Sequence, residues 1–312
     1  MFRPGGPGSN GVLPEEGSEE DVVDDEIHPP VHLNARVQEL VHKGFTVFEE
    51  FCTPQEVEDI RRAFNTEVPI TQMAAIGTET GRTLRAHNLL AKTRAVDWLF
   101  LDPRVRKMVR GVLGPMVQVN VTTLFNTLPG ETRQFLHQDD GLWPIARPHP
   151  SFLCNALLAI DDFDEEVGAT HIVPFSHVIN DTPPHNKHPD QFQVKMKSGS
   201  MIMWEGGLWH GGGANRTSVE DGNYRERMGF FMSHAVAYLR PQEIQLVSVP
   251  RPIVRHMPKL LQSLLGYHRF GLGVDGRDPV DVLETPDDIK TYWNPDARLA
   301  PDSPAYADRS RL

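Results

Sequence analysis

Between residues 116 and 236 the chain consists mainly of short apolar or β-branched segments separated by turns rich in glycine and proline. Such segments are typical of β-strands. Six of them suit strands, at 116–128, 135–139, 152–160, 192–196, 200–204 and 228–236. Short strands in close succession bury their apolar side by stacking two sheets or by closing one sheet on itself. The pattern therefore predicts a β-sandwich or a barrel.

Helical segments precede these strands. Residues 35–43 carry apolar side chains at helical spacing, and Gly44 is a candidate C′ residue. Thr53 begins a capping box with Glu56, with proline at the first helical position. A further helix is expected to start after Asp102. The fold class predicted from the residues is α+β, mainly β, with flanking N-terminal helices.

Composition limits the domain organisation. The 312 residues suffice for one large domain. Residues 1–30 hold eight acidic side chains and one basic side chain among many glycines and prolines, and they are predicted to be a disordered acidic tail. A single domain is expected over 31–274. Residues 275–312 are polar and contain several prolines, and they are expected to form a C-terminal extension.

Charge and cysteine content narrow the function classes. The net charge is −11, and no basic stripe is available to neutralise phosphates, so nucleic-acid binding is disfavoured. No stretch reaches the length of a membrane span. Two cysteines, Cys52 and Cys154, lack the spacing of a disulfide framework or a metal site, and both are interpreted as buried apolar residues. These features fit a cytoplasmic protein, and they leave a homodimer open.

A candidate metal site combines two distant segments. His137 and Asp139 lie two residues apart, and His210 follows within W-H-G-G-G at 209–213. Residues i and i+2 of a strand share a face, so the first two side chains would point together into the interior. Two imidazoles and one carboxylate are the ligand set of a non-haem iron site with open coordination positions. The glycines after His210 would let backbone approach the site closely.

Alternatives exist for each part of this constellation. A second H-x-D pattern, at 188–190, lies in a proline-rich polar loop and is interpreted as solvated. His210 could instead be a core histidine followed by a flexible turn. A 2-oxo acid on such a metal would present a far carboxylate, which suits a bidentate arginine. Arg225 and Arg227 precede an apolar strand and are candidates, although a surface pair beside Glu226 is the ordinary alternative.

Three motifs occur in a fixed order: H-Q-D at 137–139, G-A-T-H-I-V-P-F-S-H at 168–177 and W-H-G-G-G-A-N at 209–215. Together with G-F-T-V at 44–47 and the arginine strand, they resemble the phytanoyl-CoA dioxygenase-like (PhyH) family of Fe(II)/2-oxoglutarate-dependent oxygenases. The resemblance extends over most of the chain. It implies a double-stranded β-helix, the cupin-like jelly roll, with flanking helices.

The resemblance also implies roles for individual residues. It assigns His137, Asp139 and His210 as iron ligands, which are also the catalytic residues. The family's usual position for the arginine that anchors 2-oxoglutarate falls on an aspartate here, and residues 218–224 look like an insertion. Aligning the following strand places Arg227 at the anchor position, with Arg225 second. Gln134 and Thr170 resemble further 2-oxoglutarate contacts.

The implied activity is oxidation of an unactivated C–H bond, by hydroxylation or a related reaction, with O2 and with decarboxylation of 2-oxoglutarate to succinate and CO2. The substrate is expected to be a small organic molecule, with a secondary metabolite favoured. Trp143, Phe135, Leu124 and Phe231 are candidates for an apolar pocket, and core packing is preferred for Leu124. The alternatives are a non-catalytic metal- or ligand-binding jelly roll, or a cupin metalloenzyme that does not use 2-oxoglutarate.

Overall fold

A computed structural model of the chain describes residues 30–68, 73–75, 80–179 and 187–267. The helices in these ranges are α1 (Pro30–Lys43), α2 (Pro54–Glu67), α3 (Asp97–Leu101), α4 (Pro103–Leu113), α5 (Gln245–Ser248), α6 (Arg251–Val254) and α7 (Lys259–Leu264). The strands are β1 (Phe45–Phe48), β2 (Ala74–Ala75), β3 (Thr83–His87), β4 (Val117–Thr127), β5 (Leu153–Ala159), β6 (His171–Ile172), β7 (Phe192–Gln193), β8 (Met201–Glu205), β9 (His210–Gly211) and β10 (Arg227–Val236). The expected extension at 275–312 and, apart from Pro30, the expected acidic tail lie outside the described residues.

Two antiparallel sheets form the β-structure. The large sheet has seven strands in the order β1-β8-β5-β10-β4-β3-β2, and the small sheet has three in the order β7-β6-β9. Every strand pair in both sheets is antiparallel. From β1 to β4 in this order, neighbouring strands are distant in sequence, whereas β4, β3 and β2 are consecutive strands of the chain. This arrangement is a jelly roll, as the sequence predicted.

The two faces of the large sheet carry different layers. Because successive side chains of a strand alternate between faces, Leu158 of β5 packs in the cluster shared with the helices, and Leu157 packs with the small sheet. The helical side contains the larger core, including Phe64 of α2, Phe100 of α3 and Phe230 of β10. The opposite face of the large sheet looks towards the small sheet and holds the candidate site.

The N-terminal helices follow the sequence prediction. Thr53 accepts a hydrogen bond from the Glu56 backbone N–H (3.3 Å), and the Glu56 carboxylate accepts one from the Thr53 N–H (2.7 Å), which is the expected capping box. Gly44 ends α1 with φ +87°. A side chain at Gly44 would also meet the His177 ring at 2.5 Å, so the position requires glycine for both reasons.

Two expected strands are wrong in extent. At 192–196 only Phe192–Gln193 form a strand, and Met196 makes an isolated bridge to Phe163. Residues 135–139 make only an isolated bridge, His137 to His210, and a 3₁₀ turn begins at Asp139. The chain turns because the Asp140 N–H donates to the Gly206 carbonyl (3.2 Å) and the Gly141 N–H to the Gln138 carbonyl (3.2 Å). No helix of the described residues combines the length and apolar character needed to cross a membrane.

Candidate metal centre

Three side chains converge between the two sheets. One ligand atom from each of His137, Asp139 and His210 can be chosen so that all lie within 4.8 Å of one another. The Asp139 carboxylate is 3.6 Å from Nε2 of His137 and 3.3 Å from Nε2 of His210. The backbones of the two histidines are joined by reciprocal hydrogen bonds of 2.9 and 3.0 Å. An isolated β-bridge, and not a pair of regular strands, therefore joins His137 to His210, which lie 73 positions apart in the sequence.

Both imidazoles are oriented by their own backbone. Nδ1 of His137 lies 3.1 Å from the Phe135 carbonyl, and Nδ1 of His210 lies 2.9 Å from the Leu208 carbonyl. A carbonyl only accepts, so each Nδ1 carries the proton and donates, and each Nε2 lone pair is free. Burial, together with the charge of His210, lowers the pKa of His137. For His137 the neutral imidazole, which is the form that a metal ion requires, is therefore favoured.

The carboxylate ligand is held from the large sheet. Asn155 of β5 is buried, and its Nδ2 donates to Oδ2 of Asp139 at 2.7 Å. Trp204 of β8 packs its ring against the His210 ring, with centroids 5.0 Å apart. These contacts fix the directions of two ligands in advance, as expected of a metal site. The donor set, its free lone pairs and its close spacing all fit a divalent iron ion.

A cavity of about 250 Å³ adjoins the three ligands. Its wall is formed mainly by side chains on the inner faces of β3, β4 and β10. They include Thr83, Arg85, His87, Val121, Thr123, Phe125, Thr127, Arg227, Phe231 and Ser233. The cavity leads from the metal ligands to Arg227, so an elongated molecule could contact both.

Arg227 is a buried cation. Its side chain is 5% exposed, and Nη2 donates to the Thr127 hydroxyl at 3.1 Å. The guanidinium lies over the rings of Phe125 and Phe163, at 5.5 and 5.1 Å. None of the described carboxylates lies within ion-pair distance of it, and Nε has no hydrogen-bond partner among the described residues. Burial lowers the pKa of Arg227 to about 10, so the group is still charged at neutral pH.

Arg225 lies elsewhere. It does not line the cavity, and it makes ion pairs with Asp164 (2.7 Å) and Glu166 (2.9 Å) near the surface. The two arginines differ because β10 begins at Arg227, whereas Arg225 belongs to the preceding turn. The structure thus brings one of the two candidate arginines into the cavity.

The other expected contacts line the same cavity. Gln134 accepts a hydrogen bond from the Gly212 N–H through Oε1 (2.8 Å), and Thr170 is buried in the wall. A Cβ at Gly212 would lie 3.0 Å from Gln134 Oε1 and 3.4 Å from the Arg227 guanidinium. The close backbone approach predicted for the glycines after His210 is therefore present.

Arg85 was not among the site residues expected from the sequence. It lies in β3 and lines the cavity. Within the described residues its guanidinium has no ion-pair partner, and burial lowers its pKa, partly offset by the charges of Glu131 and Asp139. The polar alternation of Thr83, Arg85 and His87 is the signal that could have identified this strand.

The candidate apolar residues are dispersed. Phe231 lines the cavity, and Leu124 is buried in the core beneath the helices, as preferred. Phe135 is 65% exposed beside the His137 ring, and Trp143 packs on Phe152 away from the cavity. The second H-x-D pattern brings no third ligand among the described residues, consistent with a solvated loop.

Comparisons with protein families and with curated proteins show which known proteins this chain is similar to. The profile of the family described as phytanoyl-CoA dioxygenase (PhyH) matches residues 40–220. A curated relative, Dioxygenase trt7 of Aspergillus terreus, is 26% identical over 260 residues, covering 77% of this chain and 86% of the relative.

Two solved structures share the fold. HygX from Streptomyces hygroscopicus, crystallised with nickel, 2-oxoglutarate and hygromycin B, superposes with a TM-score of 0.56 at 17% identity, covering 66% of this chain and 88% of the other. SnoN, a non-heme alpha ketoglutarate dependent epimerase from nogalamycin biosynthesis, gives a TM-score of 0.58 at 15% identity, covering 80% and 94%.

Proposed function

Because the chain belongs to the phytanoyl-CoA dioxygenase family and is an Fe(II)/2-oxoglutarate-dependent dioxygenase, we propose a specific role for each group around the cavity. His137, Asp139 and His210 hold Fe(II). Arg227 anchors the far carboxylate of 2-oxoglutarate, and Gln134 and Thr170 line the channel between. The substrate is a small organic molecule that is oxidised at a C–H bond beside the metal.

One observation carries this proposal. The three donor atoms lie at one end of a cavity, and the other end holds a buried arginine without a carboxylate partner among the described residues. A buried cation without a counter-ion is unfavourable, so it is typical of a site completed by an anion. A dicarboxylate that chelates the metal at one end would supply that anion at the other.

The surrounding residues support the same arrangement. When bound, Fe(II) with 2-oxoglutarate supplies the means to activate O2, with release of succinate and CO2. Asn155 keeps the Asp139 carboxylate aimed at the metal position, and Phe125 and Phe163 keep water from the Arg227 guanidinium. Arg85, on the same wall and close enough to Asp139 to respond to its charge, is placed to neutralise an anionic group nearer the metal.

The class of substrate is part of the proposal. The solved neighbours are associated by name with small molecules, hygromycin B for HygX and nogalamycin biosynthesis for SnoN. The cavity here, at about 250 Å³, must also hold 2-oxoglutarate, so it admits a small molecule or one part of a larger one and not a macromolecule. We therefore favour a small product of biosynthesis as the substrate.

The test is an oxygen-consumption assay with Fe(II), 2-oxoglutarate and a library of small organic molecules. We expect succinate formation that requires both Fe(II) and O2 and that rises with the correct substrate. Asp139→Asn is the matched inactive variant. Ligand binding with no succinate under any condition would favour a non-catalytic jelly roll. Product formation without 2-oxoglutarate would favour the other cupin chemistry.

A further inference from the structure

The end of the cavity that holds the candidate metal ligands carries a second set of polar groups, away from Arg227. Asn155, which donates to Asp139, pairs in the sheet with Ser233 of β10, so Ser233 lies at the level of the metal site. Arg227 is six residues earlier on the same strand, so the two Cα atoms are roughly 20 Å apart. Its long side chain reaches back towards the metal ligands, since Nη2 lies 3.4 Å from where a Cβ of Gly212 would be. Val121, Ser233 and Gln242 line the cavity at this end, remote from the proposed 2-oxoglutarate anchor.

A β-bulge marks this end. Ser233 pairs with Val121 of β4, but the next residue of β10, His234, pairs with Val119. Asn120 is therefore the extra residue of the bulge. Bulges beside active sites commonly re-aim a side chain. Here the Asn120 side chain is buried, and it contacts two residues of the cavity wall, Ser233 and Gln242.

The hydrogen bonds of Asn120 determine how these residues are oriented. The backbone N–H of Gln242 lies 2.8 Å from the amide oxygen of Asn120. A backbone N–H can only donate, so the oxygen of Asn120 must face it and the NH2 group must face the other way. That NH2 group donates to the Ser233 hydroxyl oxygen (3.1 Å) and to Oε1 of Gln242 (2.8 Å).

Ser233 and Gln242, which both accept from Asn120, therefore each keep a hydrogen-bond donor. Ser233 accepts from Asn120, so its hydroxyl hydrogen is available, and the Gln242 amide has its NH2 group directed away from Asn120. Among the described residues, neither group donates to a protein acceptor. Glu243, the next residue, fixes this segment, because its carboxylate accepts from the backbone N–H groups of Thr122 (3.1 Å) and Asn88 (2.7 Å).

We propose that Ser233 and Gln242, oriented by Asn120, bind a carbonyl oxygen of the substrate and place it beside the metal. The substrate class is then a neutral molecule that carries a ketone, ester or lactone. This inference rests on the proposed function for the identity of the cavity. His87 also lines the cavity, with Nδ1 3.0 Å from the Thr123 hydroxyl, and burial lowers its pKa.

The test uses two probes with one carbon skeleton, cyclohexanone and cyclohexanol. Their dissociation constants are measured by ligand-observed NMR on the protein loaded with diamagnetic Zn(II) and 2-oxoglutarate, and again on the unloaded protein. Both oxygens can accept from the two donors, but the hydroxyl hydrogen of cyclohexanol would face these donors and find no acceptor. The loss of one net hydrogen bond corresponds to about a three- to tenfold preference, so the ketone should bind that much more tightly.

Asn120→Asp should remove or reverse this preference. A carboxylate at position 120 accepts from Ser233 and Gln242, which turns both donors away from the cavity. Gln242→Glu is the second variant, since it keeps the oxygen that accepts from Asn120 and replaces the NH2 group by oxygen. It should abolish the ketone preference even if Asn120→Asp fails to fold. Gln55→Glu, the same change on the exposed face of α2, is the control.

The possible outcomes distinguish a failure of the donor-pair proposal from a failure of the proposed metal site. Equal binding of both probes by the wild type, or a ketone preference retained in the folded variants, would overturn the donor pair. Failure of the wild type to bind Zn(II) and 2-oxoglutarate would instead overturn the proposed metal site. A ketone preference in the unloaded protein would still support the donor pair in that case.

Discussion

Replacing Arg227 by methionine should abolish 2-oxoglutarate binding without the loss of stability that usually follows the removal of a buried charged residue. Methionine has a similar length and no charge. Among the described residues, the guanidinium donates to the Thr127 hydroxyl and lies over the rings of Phe125 and Phe163. The substitution therefore breaks no ion pair within the described residues.

The expected change in unfolding free energy follows from the burial of the Arg227 guanidinium. Burial lowers its pKa well below the usual arginine range, to about 10, which corresponds to about 3 kcal/mol against the charged form. The lost hydrogen bond is worth about 1 kcal/mol, and the two ring contacts about 1–2 kcal/mol each. These terms nearly cancel, so the unfolding free energy of Arg227→Met should lie within about 2 kcal/mol of the wild type. Leaving the ligand carboxylate buried without its cation costs about 3–5 kcal/mol, a loss in affinity of at least about a hundredfold.

The assay is anaerobic titration calorimetry of 2-oxoglutarate with Fe(II) present, combined with denaturant unfolding. Saturating 2-oxoglutarate should stabilise the wild type by about 3 kcal/mol at a hundred times Kd and should not stabilise Arg227→Met. Arg225→Met is the matched control. It breaks a surface ion-pair network worth about 1 kcal/mol or less and should leave the affinity nearly unchanged. Full affinity in Arg227→Met, or its loss in Arg225→Met, would refute the assignment.

Three further predictions concern the metal and the fold. Asp139→Asn should lower Zn(II) or Fe(II) affinity more than about a hundredfold in equilibrium dialysis, and unchanged binding would contradict the ligand set. Asn155→Leu should lower metal affinity about 10–100-fold while near-UV circular dichroism shows native packing, and an unaltered affinity would count against its orienting role. Gly168→Ala should destabilise more than Gly114→Ala in urea unfolding. Both glycines have positive φ, but only at Gly168 would the new Cβ meet backbone atoms, at 2.3 Å, so equal costs would show that crowding is unimportant.

Local sequence signals predicted the elements that depend on local interactions. The capping box at Thr53 and the glycine that ends α1 were visible because capping and left-handed φ require particular residues within a few positions. The jelly roll and the ligand set followed from ordered motifs at His137, Asp139 and His210. The family and its chemistry could therefore be inferred before the geometry was known.

The residues that sequence could not identify depend on sheet register. Arg85 faces the cavity because β3 pairs with β4 so that Arg85 lies opposite Phe125. Asn155 contacts Asp139 because β5 places it on the inner face. A shift of one residue would send either side chain to the opposite face, and no short motif encodes that register. The choice between Arg225 and Arg227 likewise required knowing where β10 begins.

The site has two parts. Local backbone hydrogen bonds orient the two imidazoles, whereas the side chains of the cavity walls are positioned by the register of the strands. Each histidine is oriented by the carbonyl two residues before it, and the two segments are joined by backbone hydrogen bonds. The hydrogen bonds that orient the two imidazoles therefore come from backbone carbonyls and not from cavity side chains. The Asp139 carboxylate accepts a hydrogen bond from the Asn155 side chain, so its orientation does depend on a neighbouring side chain. In contrast, the cavity walls formed by β3, β4 and β10 consist of side chains that make no hydrogen bond to either imidazole among the described residues. Substitutions on those walls can change which molecule is held beside the iron while leaving the iron-binding geometry intact, and this separation is a physical reason why one metal centre can serve many substrates.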